Sequence, residues 1–196
     1  MRAFLVLMLA AGAARAQNSD LGLLLGISGP TTQVNIVPGT IITSRVGASG
    51  QINFAFQVRD TSAGRLYLEL PLLLGGHANT TTISSSIVSS AGGKVIFTPG
   101  VRWNILPHSR VSFYAALGAG VAAFDENKSV VGKVAVTVST GWTVDPALAF
   151  GGGLDFRLTR LLSLRAEARD FVSGKGLGGA QGHNHVIYGF GLGFHW

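Results

Sequence analysis

Cysteine is absent from this chain of 196 residues. That excludes a disulfide framework, an iron–sulfur cluster and thiol chemistry. Charge is scarce too: Asp, Glu, Lys and Arg make up 12% of the residues, about half the usual share. Such a chain is too apolar for intrinsic disorder. It has too little Lys and Glu, and at 28 residues too much Gly, for a helical bundle. Long apolar runs are also missing. Beyond residue 16 no stretch reaches the 18 or so apolar residues that a spanning helix needs. Yet 47% of the residues are apolar and the mean hydropathy is +0.40. A closed β-barrel is the other structure that satisfies its backbone in lipid, and it needs no long apolar run.

The first residues read as an address. Met1-Arg2 is positive, Ala3 to Ala14 is apolar, and Ala14-Arg15-Ala16 fits the small-x-small cleavage pattern of a secretory signal peptide. We expect a signal peptide over 1–16 and a single domain over 17–196. Arg2 and Arg15 leave with the signal, which lowers the formal charge from +6 to +4. This excess includes no basic run and no recognition helix, so it gives no reason to expect nucleic acid as a partner.

What is present after Gln17 is alternation with a period of two, the mark of strands with two unlike faces. Eight segments carry it. In the first, Leu21, Leu23, Leu25 and Ile27 alternate with Gly22, Leu24, Gly26 and Ser28. In the third, Leu66, Leu68, Leu70, Leu72 and Leu74 alternate with Tyr67, Glu69, Pro71 and Leu73. In the seventh, Leu162, Leu164, Ala166 and Ala168 alternate with Ser163, Arg165, Glu167 and Arg169. The apolar set of every segment lacks charge, and each charged residue within a segment falls on the opposite face.

A soluble sandwich would show the same alternation, so other features must decide. Short connections (Asp60–Gly64, Ile105–Ser109, Thr159–Leu161) alternate with long ones (Gly29–Gly50, Gly75–Gly93, Asp125–Gly141, Val172–His185). Segments of about 9–11 residues match a tilted membrane strand. Trp103, Phe113, Phe156, Phe194 and Trp196 gather at the short-turn ends, where an interfacial girdle belongs. The fold class expected is all-β: an eight-stranded antiparallel up-and-down transmembrane β-barrel. Val134, Val136 and Val138, and likewise Ile42 and Val46, prolong the alternation, so the second and sixth strands are expected to project above the membrane.

Tyr188-x-Phe190-x-Leu192-x-Phe194-x-Trp196 resembles the C-terminal signature of Gram-negative outer-membrane proteins. Phe150-Gly-Gly-Gly-Leu-Asp-Phe-Arg157 and Leu164-Arg-Ala-Glu-Ala-Arg-Asp170 resemble the final hairpins of the broad outer-membrane β-barrel family, and the whole mature chain is similar to its small eight-stranded OmpA/OmpX/OmpW-like members. The resemblance implies a multi-pass protein of the cell outer membrane with both termini periplasmic. The partners it implies are outer-membrane lipid, periplasmic chaperones during transit, and the barrel assembly machinery, which would read Tyr188, Phe190, Leu192, Phe194 and Trp196. It also implies migration on gels that changes with heating.

An eight-stranded barrel is just wide enough for its side chains to fill it. The charged residues expected inside are Glu69, Arg102, Asp155, Arg157, Arg165, Glu167 and Arg169. Charges in a water-poor interior must pair, so Glu69 and Glu167 are expected to pair with Arg102, Arg165 and Arg169 and close the lumen. Gly151, Gly153, Gly189, Gly191 and Gly193 would give these long side chains room.

The sequence offers little catalytic chemistry. His183-Asn-His185 is the only close histidine pair, and no third ligand stands near it. Some barrels of the resembled group are lipid A deacylases or palmitoyl transferases, which need a Ser and a His in contact. Ser173 has no His two residues before it, as the deacylase motif requires, and reads as a loop residue. Gly174-Lys-Gly-Leu-Gly-Gly179 lacks phosphate-loop spacing and a following helix. No catalytic residue, metal site or cofactor is expected. The functional expectation is a non-enzymatic barrel with a structural or surface-interaction role through its outer loops. The alternatives are a narrow channel for small solutes or ions and, less favoured, a lipid A-modifying acyl hydrolase or transferase.

Overall fold

The computed structural model describes residues 19–29, 40–45, 47–83, 86–107, 109–131, 136–174 and 183–196. The signal-peptide segment lies outside these residues, as do Lys175 to Gly179. Ten strands are present: β1 (Ser19–Ser28), β2 (Thr40–Arg45), β3 (Gly47–Thr61), β4 (Gly64–Ile83), β5 (Ser86–Phe97), β6 (Gly100–Ile105), β7 (Val111–Val131), β8 (Val136–Arg157), β9 (Leu162–Ser173) and β10 (His183–His195). Among the described residues there is no helix.

The strands close into a ring of eight antiparallel walls. β1 pairs with β3 on one side and with β10 on the other. From β10 the order runs through β9, β8 and β7 to β5 and β6, and both of these pair with β4, which returns to β3. β2 continues the β3 wall along the far part of β4. β5 and β6 are one wall interrupted at Thr98-Pro99. Pro99 has no N–H to give the ladder, yet its carbonyl still accepts from the Ala119 N–H at 3.0 Å.

The two faces of the wall differ in kind. Outside, Leu25, Leu117 and Phe190 are 79%, 61% and 60% exposed. Inside, Ala55, Leu73, Arg102 and Arg165 are each 0% exposed. A surface this apolar around an interior this polar is the inverse of a water-soluble barrel, and it fits a hydrocarbon solvent. Trp103, Phe113, Phe156 and Trp196 are exposed near the short-turn rim. In the turn after β3, Gly64 has φ +149, and a Cβ there would run into Asn104 O and the Trp103 ring.

The strands are not all of the expected length. β1, β9 and β10 have 10, 12 and 13 residues, close to the expected span. β4, β7 and β8 have 20, 21 and 22, whereas about 9–11 suffice to cross. Two hairpins carry the excess. The β4–β5 ladder runs to Ile83 opposite Ser86, and the β7–β8 ladder to Val130 opposite Val136. Projection thus involves four strands as well as β2, more than the two expected from parity. The β7–β8 register shifts between Asp125 and Asn127, opposite a segment that contains Gly141 at φ +69. Such a bulge resets alternation, so parity could not be carried across it. The faces taken by Ile42, Val46, Val134, Val136 and Val138 lie outside the described residues.

Candidate functional site

The lumen holds three layers. Nearest the short turns is a network of buried charges. Beyond it lies an apolar plug, and beyond that a small polar group.

Arg165 on β9 is the centre of the network. Its Nε and Nη2 donate to Asp155 on β8 at 2.6 and 2.9 Å, and its Nη1 and Nη2 donate to Asp20 on β1 at 2.9 and 2.8 Å. One planar guanidinium thus grips two carboxylates, which its rigid fork of donors permits. Arg102 on β6 reaches Asp20 at 3.1 Å and Glu69 on β4 at 3.5 Å. Its guanidinium lies 4.7 Å from the Tyr67 ring centroid and 5.3 Å from that of Tyr114, within cation–π range of each. Arg169 joins Glu69 at 2.9 Å to Glu167 at 2.8 Å. Glu167 accepts further bonds from Tyr114 Oη (2.7 Å), Gln51 Nε2 (2.6 Å) and Asn53 Nδ2 (3.2 Å). At the near end His195 Nδ1 lies 2.9 Å from Asp20, and His195 Nε2 lies 2.9 Å from Ser163 Oγ. Every wall of the barrel contributes a polar side chain to this layer.

Of the charged residues expected inside, the structure brings together Glu69, Arg102, Asp155, Arg165, Glu167 and Arg169. Two corrections concern their company. Arg165 pairs with Asp20 and Asp155 rather than with a glutamate. Arg157 stands apart, half-buried at the short-turn mouth. The room for Arg165 comes from Gly193 and from Gly22, which the strand pattern did not single out. A Cβ on Gly22 would lie 2.6 Å from Arg165 Nη1, and one on Gly193 3.3 Å from Nη2. Gly153 makes room for the Tyr114 ring, since a Cβ there would lie 2.5 Å from its hydroxyl. Gly189 and Gly191 face Leu24 and the β1 backbone instead. Sequence reasoning missed Asp20, Tyr114, Gln51, Asn53 and His195 as members. Asp20 had a signal in its parity, since it shares a face with Gly22 and Leu24.

The second layer is Leu73, Ile96, Ala122, Ala147, Ala149, Phe171 and Ile187, all buried. Above it, Ser173 Oγ lies 3.0 Å from His185 Nε2. Ser173 is the last residue of β9 and is buried, not a loop residue. Its contact with His185 pairs a nucleophile type with a base type, but both side chains face the lumen and not the lipid. Among the described residues, no three His, Asp or Glu side chains come together as a metal site.

No family model matches this chain, and no curated protein matches it. Solved structures do. The outer membrane protein OprG from Pseudomonas aeruginosa aligns with a TM-score of 0.57 at 12% identity, over 93% of this chain and 97% of that one. The fold is that of the small outer-membrane barrels. Ail, the attachment invasion locus protein of Yersinia pestis, aligns at a TM-score of 0.51 and 12% identity, over 92% and 99% of the two chains. The outer membrane protease OmpT from Escherichia coli aligns at 0.50 and 8%, over 92% and 97%. A protein named for attachment and a protease thus share this outer-membrane barrel fold, so the architecture by itself assigns no activity.

Proposed function

We propose that this chain is a non-conducting, non-enzymatic barrel of the cell outer membrane that acts through the surface it raises beyond the bilayer. Both termini and the short turns face the periplasm. The hairpins β4–β5 and β7–β8 stand on the outer side. The observation that carries this reading is the contrast between a lumen filled by two successive layers and strands about ten residues longer than a crossing needs. A wall that only transported would need neither. Tyr188, Phe190, Leu192 and Trp196 face outward along β10, which suits the expected role of this strand as the segment read by the assembly machinery.

The test is conductance of the purified full chain in planar bilayers. The expected result is no resolvable steps, in the wild type or in Glu167→Ala, because the apolar layer persists when the network is breached. Steps in the wild type that grow in Glu167→Ala would overturn the reading in favour of a gated ion path. A change of one acyl chain in lipid A between wild-type and deletion strains would overturn it in favour of an enzyme.

A further inference from the structure

Among the described residues, surplus positive charge gathers at one end of the barrel. Inside the lumen, Lys94, Arg102, Arg165 and Arg169 balance Asp20, Glu69, Asp155 and Glu167. Toward the long connections the described residues include Arg45 and Lys128 together with Asp125, Glu126, Asp145 and Asp170. At the short-turn rim, Arg59, Arg65, Arg110, Arg157 and Arg160 stand with Asp60 as the one acidic side chain there among the described residues. Asp60 is taken by Arg65 at 2.8 Å. The other four arginines make no ion pair among the described residues.

A cleft of about 270 Å³ opens in this rim. Arg65, Arg157 and Arg160 line it, together with Tyr67 and His195 from the lumen mouth. Leu161 and Trp196 line it as well, and both are exposed. The cleft therefore brings cationic donors together with exposed apolar side chains. A soluble anion would use only the first of these features. An amphiphile with an anionic head would use both.

We propose that the short-turn rim is a binding site for anionic phospholipid of the adjoining leaflet. The phosphate sits against Arg157 and Arg160, and the acyl chains lie along the wall beside Trp196. Guanidinium suits this head group because it donates two parallel bonds to phosphate oxygens, and its stem can lie on apolar surface while its head reaches the polar layer. Each such arginine near an anionic surface is worth about fivefold in partitioning. The proposal rests on the chain spanning a bilayer.

The experiment reconstitutes the full chain in vesicles of phosphatidylcholine with a minor fraction of phosphatidylglycerol. The protein is then extracted in mild detergent and the co-purifying lipid is measured. The expected result is several-fold enrichment of phosphatidylglycerol over its bulk ratio, falling to near the bulk ratio in the double variant Arg157→Gln/Arg160→Gln. Heat-modifiable migration of that variant reports that it still folds. Equal retention of the two lipids, or enrichment unchanged in the double variant, overturns the proposal. Inorganic phosphate titrated onto the detergent-solubilised protein distinguishes the source: saturation by free phosphate without phosphatidylglycerol enrichment also overturns it. A chain that fails to float with the vesicles overturns the membrane reading itself, an outcome distinct from insertion without lipid preference.

Discussion

Arg165 and Asp20 are 145 residues apart in sequence and share two hydrogen bonds of 2.9 and 2.8 Å in the lumen. The same guanidinium also holds Asp155. Removing it would leave two buried carboxylates short of their main partner, whereas removing all three charges together would leave no carboxylate unpaired and only Arg102 short of Asp20, with Glu69 still beside it. Arg165→Met is therefore expected to destabilise the barrel by about 3–5 kcal/mol. The triple variant Arg165→Met/Asp20→Asn/Asp155→Asn is expected to recover much of that loss. Urea unfolding in detergent micelles measures both. A loss below about 1 kcal/mol in the single variant would place the pair with weak surface ion pairs.

Glycines in the wall are not equivalent. A methyl on Gly22 would meet Arg165 Nη1, which its four hydrogen bonds hold in place, so Gly22→Ala should cost about 1–3 kcal/mol. Nothing lies within 4 Å of a Cβ built on Gly50. Gly50→Ala should stay within about 0.5 kcal/mol of the wild type. The same unfolding assay compares them, and equal losses would contradict the packing described.

Tyr114 donates to Glu167, which also has Gln51, Asn53 and Arg169. Tyr114→Phe keeps the ring beside Arg102 and removes one of these partners. The expected cost is about 1–3 kcal/mol, that of a hydrogen bond to a buried charged group. Glu167→Gln combined with Tyr114→Phe measures the coupling, and additive losses would show that the hydroxyl acts elsewhere.

Leu117 is outward-facing in the part of β7 nearer the short turns, about midway along a crossing of some ten residues that starts at Val111. In a water-soluble protein, an exposed Leu changed to Arg is nearly neutral. In hydrocarbon near the midplane it costs about 2–4 kcal/mol. Folding yield and unfolding free energy of Leu117→Arg in phospholipid vesicles decide between these solvents. The control is Arg59→Gln at the water-exposed rim, expected to fold as the wild type does.

The wall was legible in the sequence because its signal is local. Leu21, Leu23 and Leu25 declare a lipid face without reference to any other strand, and so do Phe190 and Leu192. The partners of the inner charges were not legible in the same way. Parity puts Arg165 inside, but only ring closure brings β1 into reach of β9 and β6 at once, and Asp20 stands at the very start of the first strand. The ends of the long hairpins escaped for a different reason. One bulge near Asp125 breaks the count on which parity depends, and a period of two has no means of registering it.

The seam between β1 and β10 has a consequence for how the barrel assembles. Before these strands meet, the sheet from β4 to β9 already holds Arg102, Arg165 and Arg169 with Glu69, Asp155 and Glu167, a set without net charge but with incomplete contacts. Sealing the seam adds Asp20 between two of the arginines and sets His195 beside it. The first strand thus acts as a keystone: across this joint it supplies one carboxylate that Arg165 and Arg102, on strands it does not pair with, share. An open sheet and a closed cylinder of this chain consequently differ in internal electrostatics as well as in shape, which favours all-or-none closure over a lingering half-sealed form.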